Sequence, residues 1–92
     1  MSRLRILIAD DHDLIRRGLR TLLESQGWII CAEVRNGLEA VEKVNELRPD
    51  IAVLDITMPR LNGLEAARRI RNGSPDTKIL ICSCLLYTSR CV

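Results

Sequence analysis

The sequence contains almost no aromatic residues: its 92 positions include one tryptophan, one tyrosine and no phenylalanine. A hydrophobic core must therefore be built from aliphatic side chains, which dominate the 47% of residues that are hydrophobic. Such a composition suits buried parallel strands that are covered by helices. It also excludes an intrinsically disordered chain, because enough apolar surface is present to form a core.

Several other features are missing. No apolar run reaches the length of a membrane span and no cationic leader opens the chain, so we expect a cytoplasmic protein without membrane contact. The net charge of +2 arises from mixed signs without a basic patch interleaved with aromatics, so we expect residues 1–92 to make no direct nucleic acid contact. The cysteines lack the C-x-x-C spacing of metal and redox sites, which favours free thiols; they are Cys31, Cys82, Cys84 and Cys91.

Short apolar runs alternate with amphipathic stretches along the sequence. The apolar runs are the expected strands, and they span residues 4–9, 28–34, 51–54 and 78–83. Between them, apolar residues recur at helical spacing, and NGSP at 72–75 marks a loop. This β-α-β-α-β-α-β order predicts a single α/β domain with a doubly wound parallel sheet and right-handed crossovers.

The helical patterns predict which side chains face the core. In the first helix the inward positions are Leu14, Ile15, Leu19, Leu22 and Leu23, and in the third they are Leu64, Ala67 and Ile70. Arg16, Arg17 and Arg20 are expected to face water. We expect Asp13 to be the N-cap of the first helix, Gly27 to end it, and Gly18 to allow close packing on the sheet.

Acidic residues follow two of the expected strands. Asp10 and Asp11 come after the first strand, and Asp55 comes after the third. If those strands are parallel neighbours, three carboxylates meet at one edge of the sheet and raise one another's pKa values. A magnesium ion relieves that repulsion, and a carboxylate can attack a phosphoryl group. Capping of the following helices is the alternative explanation of the same acids.

Two longer stretches carry a family resemblance. IADDHDLIRRGLRTLLE and IAVLDITMPRLNGLEAARRI contain the acidic pair, the acid after strand three, Met58-Pro59 and Gly63 in order. Over residues 3–83 the chain resembles the receiver domains of two-component response regulators. The first helix and Gly27-Trp28 most resemble regulators with a LuxR-type output domain, the LuxR/NarL-FixJ group. The resemblance implies a flavodoxin-like receiver fold, with strand order 2-1-3-4-5 in the complete domain.

The resemblance also implies a role for each matching residue. Asp55 is the expected phosphoacceptor. Mg²⁺ is the expected cofactor, held by Asp11, by Asp10 directly or through water, by Asp55 and by the backbone carbonyl of Thr57. Ser83 is the expected phosphoryl-binding switch residue. Pro59 and Gly63 are expected to shape the loop without taking part in the chemistry.

The same resemblance implies the partners. A sensor histidine kinase supplies the phosphoryl group, and a C-terminal helix-turn-helix domain in the full-length parent is the expected output for transcription regulation. The parent is a possible homodimer after phosphorylation. The chain is not expected to be an enzyme, beyond assisting its own phosphorylation and dephosphorylation.

The sequence departs from the family after the fourth strand. The lysine of strand five is absent, and Lys78 does not replace it because Lys78 begins strand four at the opposite edge. Residues 84–92, CLLYTSRCV, fit a translated transposon-end adapter. In one encoding of this segment the second part is the start of the reverse complement of the first part, and continuing that reverse complement gives a stop codon at the point where the chain ends. We therefore expect residues 1–83 to be the N-terminal portion of a receiver, and the 92-residue chain to be unstable or aggregated when made alone.

Two other classes of function compete with the phosphorylation switch. An enzyme, either an aspartate-nucleophile phosphatase or an NTPase, is disfavoured because position 57 is Thr and no GxxxxGK[ST] motif occurs. A truncated, inactive receiver fragment or protein-interaction module is the second alternative. The intact Asp10, Asp11 and Asp55 argue against inactivity in the parent protein.

Overall fold

The computed structural model describes residues 3–82, which form four strands and three helices in strict alternation. The strands are β1 (Arg5–Ala9), β2 (Ile29–Val34), β3 (Ile51–Asp55) and β4 (Lys78–Cys82), and the helices are α1 (Asp13–Ser25), α2 (Gly37–Leu47) and α3 (Gly63–Gly73). The predicted order of elements is confirmed. The predictions for Ser83 and for residues 84–92 lie outside the described residues.

All four strands are parallel and lie in the order β2-β1-β3-β4. Ala9 is paired with Leu54 where β1 meets β3, and Asp55 is paired with Cys82 where β3 meets β4. The predicted α/β class and the first four strands of the flavodoxin-like order are therefore confirmed. The chain adds β2 on one side of β1 and then adds β3 and β4 on the other side, so the strand order switches between β1 and β3. The carboxyl ends of the strands at such a switch point are where ligands bind in these sheets.

The core has two parts, one on each face of the sheet. On one face, Leu7, Ala52 and Leu54 pack with the inner positions of α2 and α3, among them Val44 and Ile70. On the other face, three strand residues pack against α1; they are Ile6, Ile8 and Val53, and their partners include Leu19 and Leu23. Alternate residues of each strand serve opposite faces, which explains why the strands are apolar throughout.

Three of the predicted inward leucines are exposed. Leu14 is 80% exposed, and Leu22 of α1 and Leu64 of α3 are also exposed. A helix contacts a flat sheet along a narrow strip, so apolar residues at the margins of its apolar face stay in water. Gly18 is exposed as well, and a side chain there would meet no atom within 4 Å, so the prediction of close packing at Gly18 was wrong.

The helix ends follow local side-chain chemistry. Asn36 and Asn62 cap α2 and α3 by accepting hydrogen bonds from the backbone amides of Glu39 and Glu65. Asp13 is the first residue of α1, so the prediction that Asp13 is the N-cap was wrong; His12 occupies that position. Gly27 has φ of 88° just after α1, a left-handed conformation that suits glycine at the end of a helix.

None of the helices in residues 3–82 is long and apolar enough to cross a membrane.

Candidate functional site

The acidic residues meet where the carboxyl ends of β1 and β3 adjoin. Asp10 directly follows β1, Asp11 comes next, and Asp55 is the last residue of β3. One ligand atom from each of these residues and one from His12 all lie within 4.8 Å of one another. The predicted convergence of Asp10, Asp11 and Asp55 is therefore present, and the site gains a histidine.

Asp55 is the most enclosed member of this cluster. Its relative exposure is 1%, and within residues 3–82 neither carboxylate oxygen has a hydrogen-bond partner. Burial raises the pKa of Asp55, and the negative charges of Asp10 and Asp11 raise it further. His12 and the backbone amide of Thr57, whose geometry falls short of a hydrogen bond, have smaller opposing effects on that pKa. A buried carboxylate without partners is costly, which points to a ligand that completes it.

His12 directly follows the acidic pair and is the N-cap residue of α1. In the structure its Nδ1 atom lies 3.0 Å from Oδ1 of Asp10 and 3.1 Å from Oδ1 of Asp11. The hydrogen bond to Asp10, followed by the charge of Asp11, raises the pKa of His12. The signal available in the sequence was its position directly after two acids.

The sequence-based prediction for Arg16 was also wrong. Its side chain is 12% exposed rather than facing water. Nη1 donates to the backbone carbonyl of Asp10 at 2.8 Å, and Nη2 donates to Asp13 at 2.5 Å. Nε lies 3.4 Å from a carboxylate oxygen of Glu33 on β2. Arg16 therefore ties the first turn of α1 to the loop that carries the acidic pair, a contact that depends on tertiary structure and that helical periodicity cannot reveal.

The loop after β3 closes tightly against the end of that strand. The Gly63 amide donates to the carbonyl of Ile56 at 2.8 Å. A Cβ atom at Gly63 would collide with the backbone carbonyl of Asp55, so a glycine is required by close approach. Thr57 and Pro59 are exposed in the same loop. Arg60 has φ of 72°, and the Leu61 amide donates to the Pro59 carbonyl, which makes a tight three-residue turn.

Lys78 lies far along the sheet from the acidic cluster. It is paired with Ile51 at the start of β3, whereas Asp55 is at the other end of that strand. The expectation that Lys78 cannot serve the site agrees with this register. Ser83, the predicted switch residue, lies outside the described residues.

The cluster fits a hard divalent cation. It offers carboxylate oxygens from three residues, and one of these carboxylates is buried without a partner. Mg²⁺ prefers oxygen ligands and keeps several positions for water or for substrate phosphate, which suits a site that is open on the Asp11 side. The donor set and the unpartnered carboxylate are thus what a magnesium site requires.

The fold and this acidic edge define a class of protein. Residues 6–87 match the response regulator receiver domain family, and the chain belongs to that family. Receiver domains bind Mg²⁺ at an acidic pocket and act as phosphoacceptors within two-component systems.

Particular relatives agree with this assignment. The chain is 43% identical over 81 residues to the chemotaxis protein CheY of Thermotoga maritima. That alignment covers 88% of this chain and 68% of CheY. A LuxR family response regulator from Aurantimonas sp. SI85-9A1 is 40% identical, with a TM-score of 0.83 over 89% of this chain and 59% of that one.

A third relative was solved with ligands. It is the CheX-CheY-BeF3-Mg complex from Borrelia burgdorferi, which is 29% identical with a TM-score of 0.84, covering 87% of this chain and 61% of that one. This chain spans about three fifths of the length of these solved receiver structures. The relatives include chemotaxis proteins and LuxR family regulators, so they do not share one output domain.

Proposed function

We propose that this receiver accepts a phosphoryl group on Asp55 with Mg²⁺ and thereby switches an output domain. The observation that carries the proposal is the Asp55 carboxylate, which is buried at the end of β3 with both oxygens unpartnered within residues 3–82. A reactive oxygen held ready without a competing hydrogen bond is suited to nucleophilic attack.

The proposed chemistry is a simple displacement at phosphorus. One oxygen of Asp55 forms a bond to the phosphorus of a phosphohistidine, and the bond from phosphorus to the imidazole nitrogen breaks. The leaving imidazole keeps the electron pair and takes up a proton, while Asp55 becomes an acyl phosphate. Negative charge builds up beside Asp10 and Asp11 during this transfer, so a cation is needed there.

Asp10, Asp11, Asp55 and the backbone carbonyl of Thr57 are the residues that we propose hold Mg²⁺. When bound, the ion neutralises negative charge on the transferring group. The chain's own contribution is to orient these oxygens: the Asp10 loop is tied down by Arg16, and the end of β3 is held by the Gly63 contact. Pro59 and Gly63 act on the shape of the loop, and Ser83 is proposed to bind the phosphoryl oxygen.

The proposed partners follow from the family. A sensor histidine kinase is the donor, and the full-length parent is proposed to be a cytoplasmic protein that carries a C-terminal helix-turn-helix output domain for transcription regulation. The similarity to a LuxR family response regulator supports that choice of output. Dimerisation of the parent after phosphorylation belongs to the same proposal.

The test is phosphorylation by a small phosphodonor such as acetyl phosphate, with Mg²⁺ present and intact mass as the readout. Wild type is expected to gain one phosphoryl group, and Asp55→Asn is expected to gain none. Asp76→Asn is the matched control, because Asp76 is an exposed aspartate in the loop before β4 and should be labelled as wild type is. Undiminished labelling of Asp55→Asn, or equal labelling after chelation of Mg²⁺, would contradict the proposal.

A further inference from the structure

The acidic cluster contains a nitrogen ligand that the proposed Mg²⁺ set does not use. His12 Nδ1 lies 3.0 Å from Asp10 Oδ1 and 3.1 Å from Asp11 Oδ1. The side chain of His12 is 52% exposed, so its ring lies at the mouth of the site rather than in the core. Four residues each contribute one candidate ligand atom, and no two of these atoms lie more than 4.8 Å apart; the residues are Asp10, Asp11, His12 and Asp55.

The two separations from His12 Nδ1 are those of neighbouring ligands around a single ion. Two ligand atoms at right angles about an ion with bonds of about 2.1 Å lie about 3.0 Å apart, and first-row divalent ions bind imidazole and carboxylate at such lengths. The His12 nitrogen thus already has, to each of the two carboxylate oxygens, the spacing of neighbouring positions in one coordination shell. An ion between them would replace the hydrogen bond from His12 to Asp10 with two bonds to the metal.

The buried carboxylate of Asp55 is an independent sign that a ligand completes the cluster. It is 1% exposed, both of its oxygens lack partners within residues 3–82, and one of them is among the four clustered ligand atoms. The cluster therefore combines a half-exposed imidazole at its mouth with an unpartnered carboxylate at its base. An ion with bonds of about 2.1 Å holds opposite ligands about 4.2 Å apart, so a small inward movement from the spread of at most 4.8 Å would let one ion contact both ends.

We propose that His12 makes this a mixed nitrogen and oxygen site, which binds a borderline divalent transition ion, of the Co²⁺ or Zn²⁺ class, through His12 Nδ1 and the carboxylates of Asp10, Asp11 and Asp55. The proposal rests on the proposed Mg²⁺ site, because the two kinds of ion share the carboxylates. Mg²⁺ leaves the imidazole unused, since it prefers oxygen, whereas imidazole suits Co²⁺ and Zn²⁺. His12 is then the residue that sets which ion the site selects.

The experiment is a titration of the full chain with Co²⁺ followed by visible absorption. The pH is held at about 8, well above the ordinary imidazole pKa of about 6.5, because the pKa of His12 is raised by its hydrogen bond to Asp10. Mg²⁺ is then added to displace the cobalt. Four proteins are compared: wild type, His12→Gln, Asp55→Asn, and a double variant with His12→Gln and Gln26→His. The double variant restores one histidine at the exposed end of α1, away from the acidic residues.

The expected result is that His12→Gln lowers Co²⁺ affinity about tenfold or more, the range found when groups that support a metal site are removed. Its Mg²⁺ affinity should not fall. The double variant should behave as His12→Gln does, and Asp55→Asn should weaken both ions. Cobalt bound at this site should be displaced by Mg²⁺ and should show no thiolate charge-transfer band, which marks binding to cysteine.

Equal Co²⁺ affinity in wild type and His12→Gln, a thiolate band, or recovery of affinity in the double variant would overturn the inference. The proposed function fails separately. If Mg²⁺ does not bind wild type while Co²⁺ binds through His12, the mixed site stands and the magnesium-dependent switch does not. If Mg²⁺ binds and His12→Gln has no effect on Co²⁺, only the role of His12 is lost.

Discussion

The guanidinium of Arg16 donates a hydrogen bond of 2.8 Å to the backbone carbonyl of Asp10. This contact joins the first turn of α1 to the residue that follows β1. Arg16 also bonds Asp13 and lies 3.4 Å from Glu33 of β2, so one side chain holds a helix, a loop and a neighbouring strand together. The position of the acidic pair therefore depends on Arg16, a positively charged residue of α1.

Replacement of Arg16 should weaken the acidic site. Arg16→Gln removes the bond to the Asp10 carbonyl and the charge beside Glu33, so we expect a loss of about 1.5–3 kcal/mol in the free energy of unfolding, typical of hydrogen bonds to charged groups. Mg²⁺ affinity should fall as well, since the Asp10 loop is no longer held. Urea unfolding with and without Mg²⁺ measures both effects.

Arg17→Gln is the matched control for that variant, because Arg17 is the exposed neighbour on the same helix. Its unfolding free energy should lie within about 0.5 kcal/mol of wild type, as for ordinary surface changes. If both variants lose the same stability and the same Mg²⁺ affinity, the anchoring role of Arg16 is wrong.

The buried carboxylate of Asp55 should make stability depend on pH in the absence of divalent ions. Its pKa is raised in the folded protein by burial and by Asp10 and Asp11. The folded state therefore binds the proton more tightly than the unfolded chain does, and stability is lost as pH rises from about 4, the ordinary aspartate pKa, through the raised value. Asp55→Asn should gain about 1–3 kcal/mol at neutral pH, the cost of an unsatisfied buried polar group.

The readout for Asp55 is the difference in unfolding free energy between Asp55→Asn and wild type across this pH range. The difference should shrink toward acid pH, where Asp55 is protonated, and Mg²⁺ should stabilise wild type more than the variant by mass action. A difference that stays constant with pH would show that the charge of Asp55 is not the cause.

A methyl group at Gly63 should disturb the end of β3. Gly63→Ala places a Cβ atom against the backbone carbonyl of Asp55, and backbone cannot yield as a flexible side chain does. We expect a loss of about 1–3 kcal/mol, the usual cost of overpacking, together with weaker Mg²⁺ binding. Thermal or urea unfolding checks the first effect, and a Mg²⁺ titration checks the second.

The same methyl group at Gly18 should have the opposite effect. Gly18 is exposed within α1, and a side chain there meets no atom within 4 Å. Gly18→Ala should raise the free energy of unfolding by about 0.5–1 kcal/mol, because alanine favours a helix interior. A destabilised Gly18→Ala, measured beside Gly63→Ala in the same urea series, would mean that α1 packs differently from the structure.

Much of the fold was predictable because it follows from local patterns. Apolar runs and helical periodicity predicted every strand and helix within residues 3–82. The reason is that a buried strand needs a short continuous apolar run, whereas a helix needs apolar residues at helical spacing along one face. Errors arose at the margins of the apolar faces, at Leu14, Leu22 and Leu64, and at the N-cap of α1. Those positions depend on which strip of a helix contacts the sheet, and periodicity does not contain that information.

The sequence by itself determined the alternation of strands and helices and the acids that follow β1 and β3. Only the tertiary structure decided that Asp10, Asp11 and Asp55 meet, that Asp55 is buried without partners in the described part of the chain, and that His12 and Arg16 join them. The physical reason is that strand order brings together residues more than forty positions apart, and local sequence carries no record of strand order. The site is a product of the β1–β3 pairing.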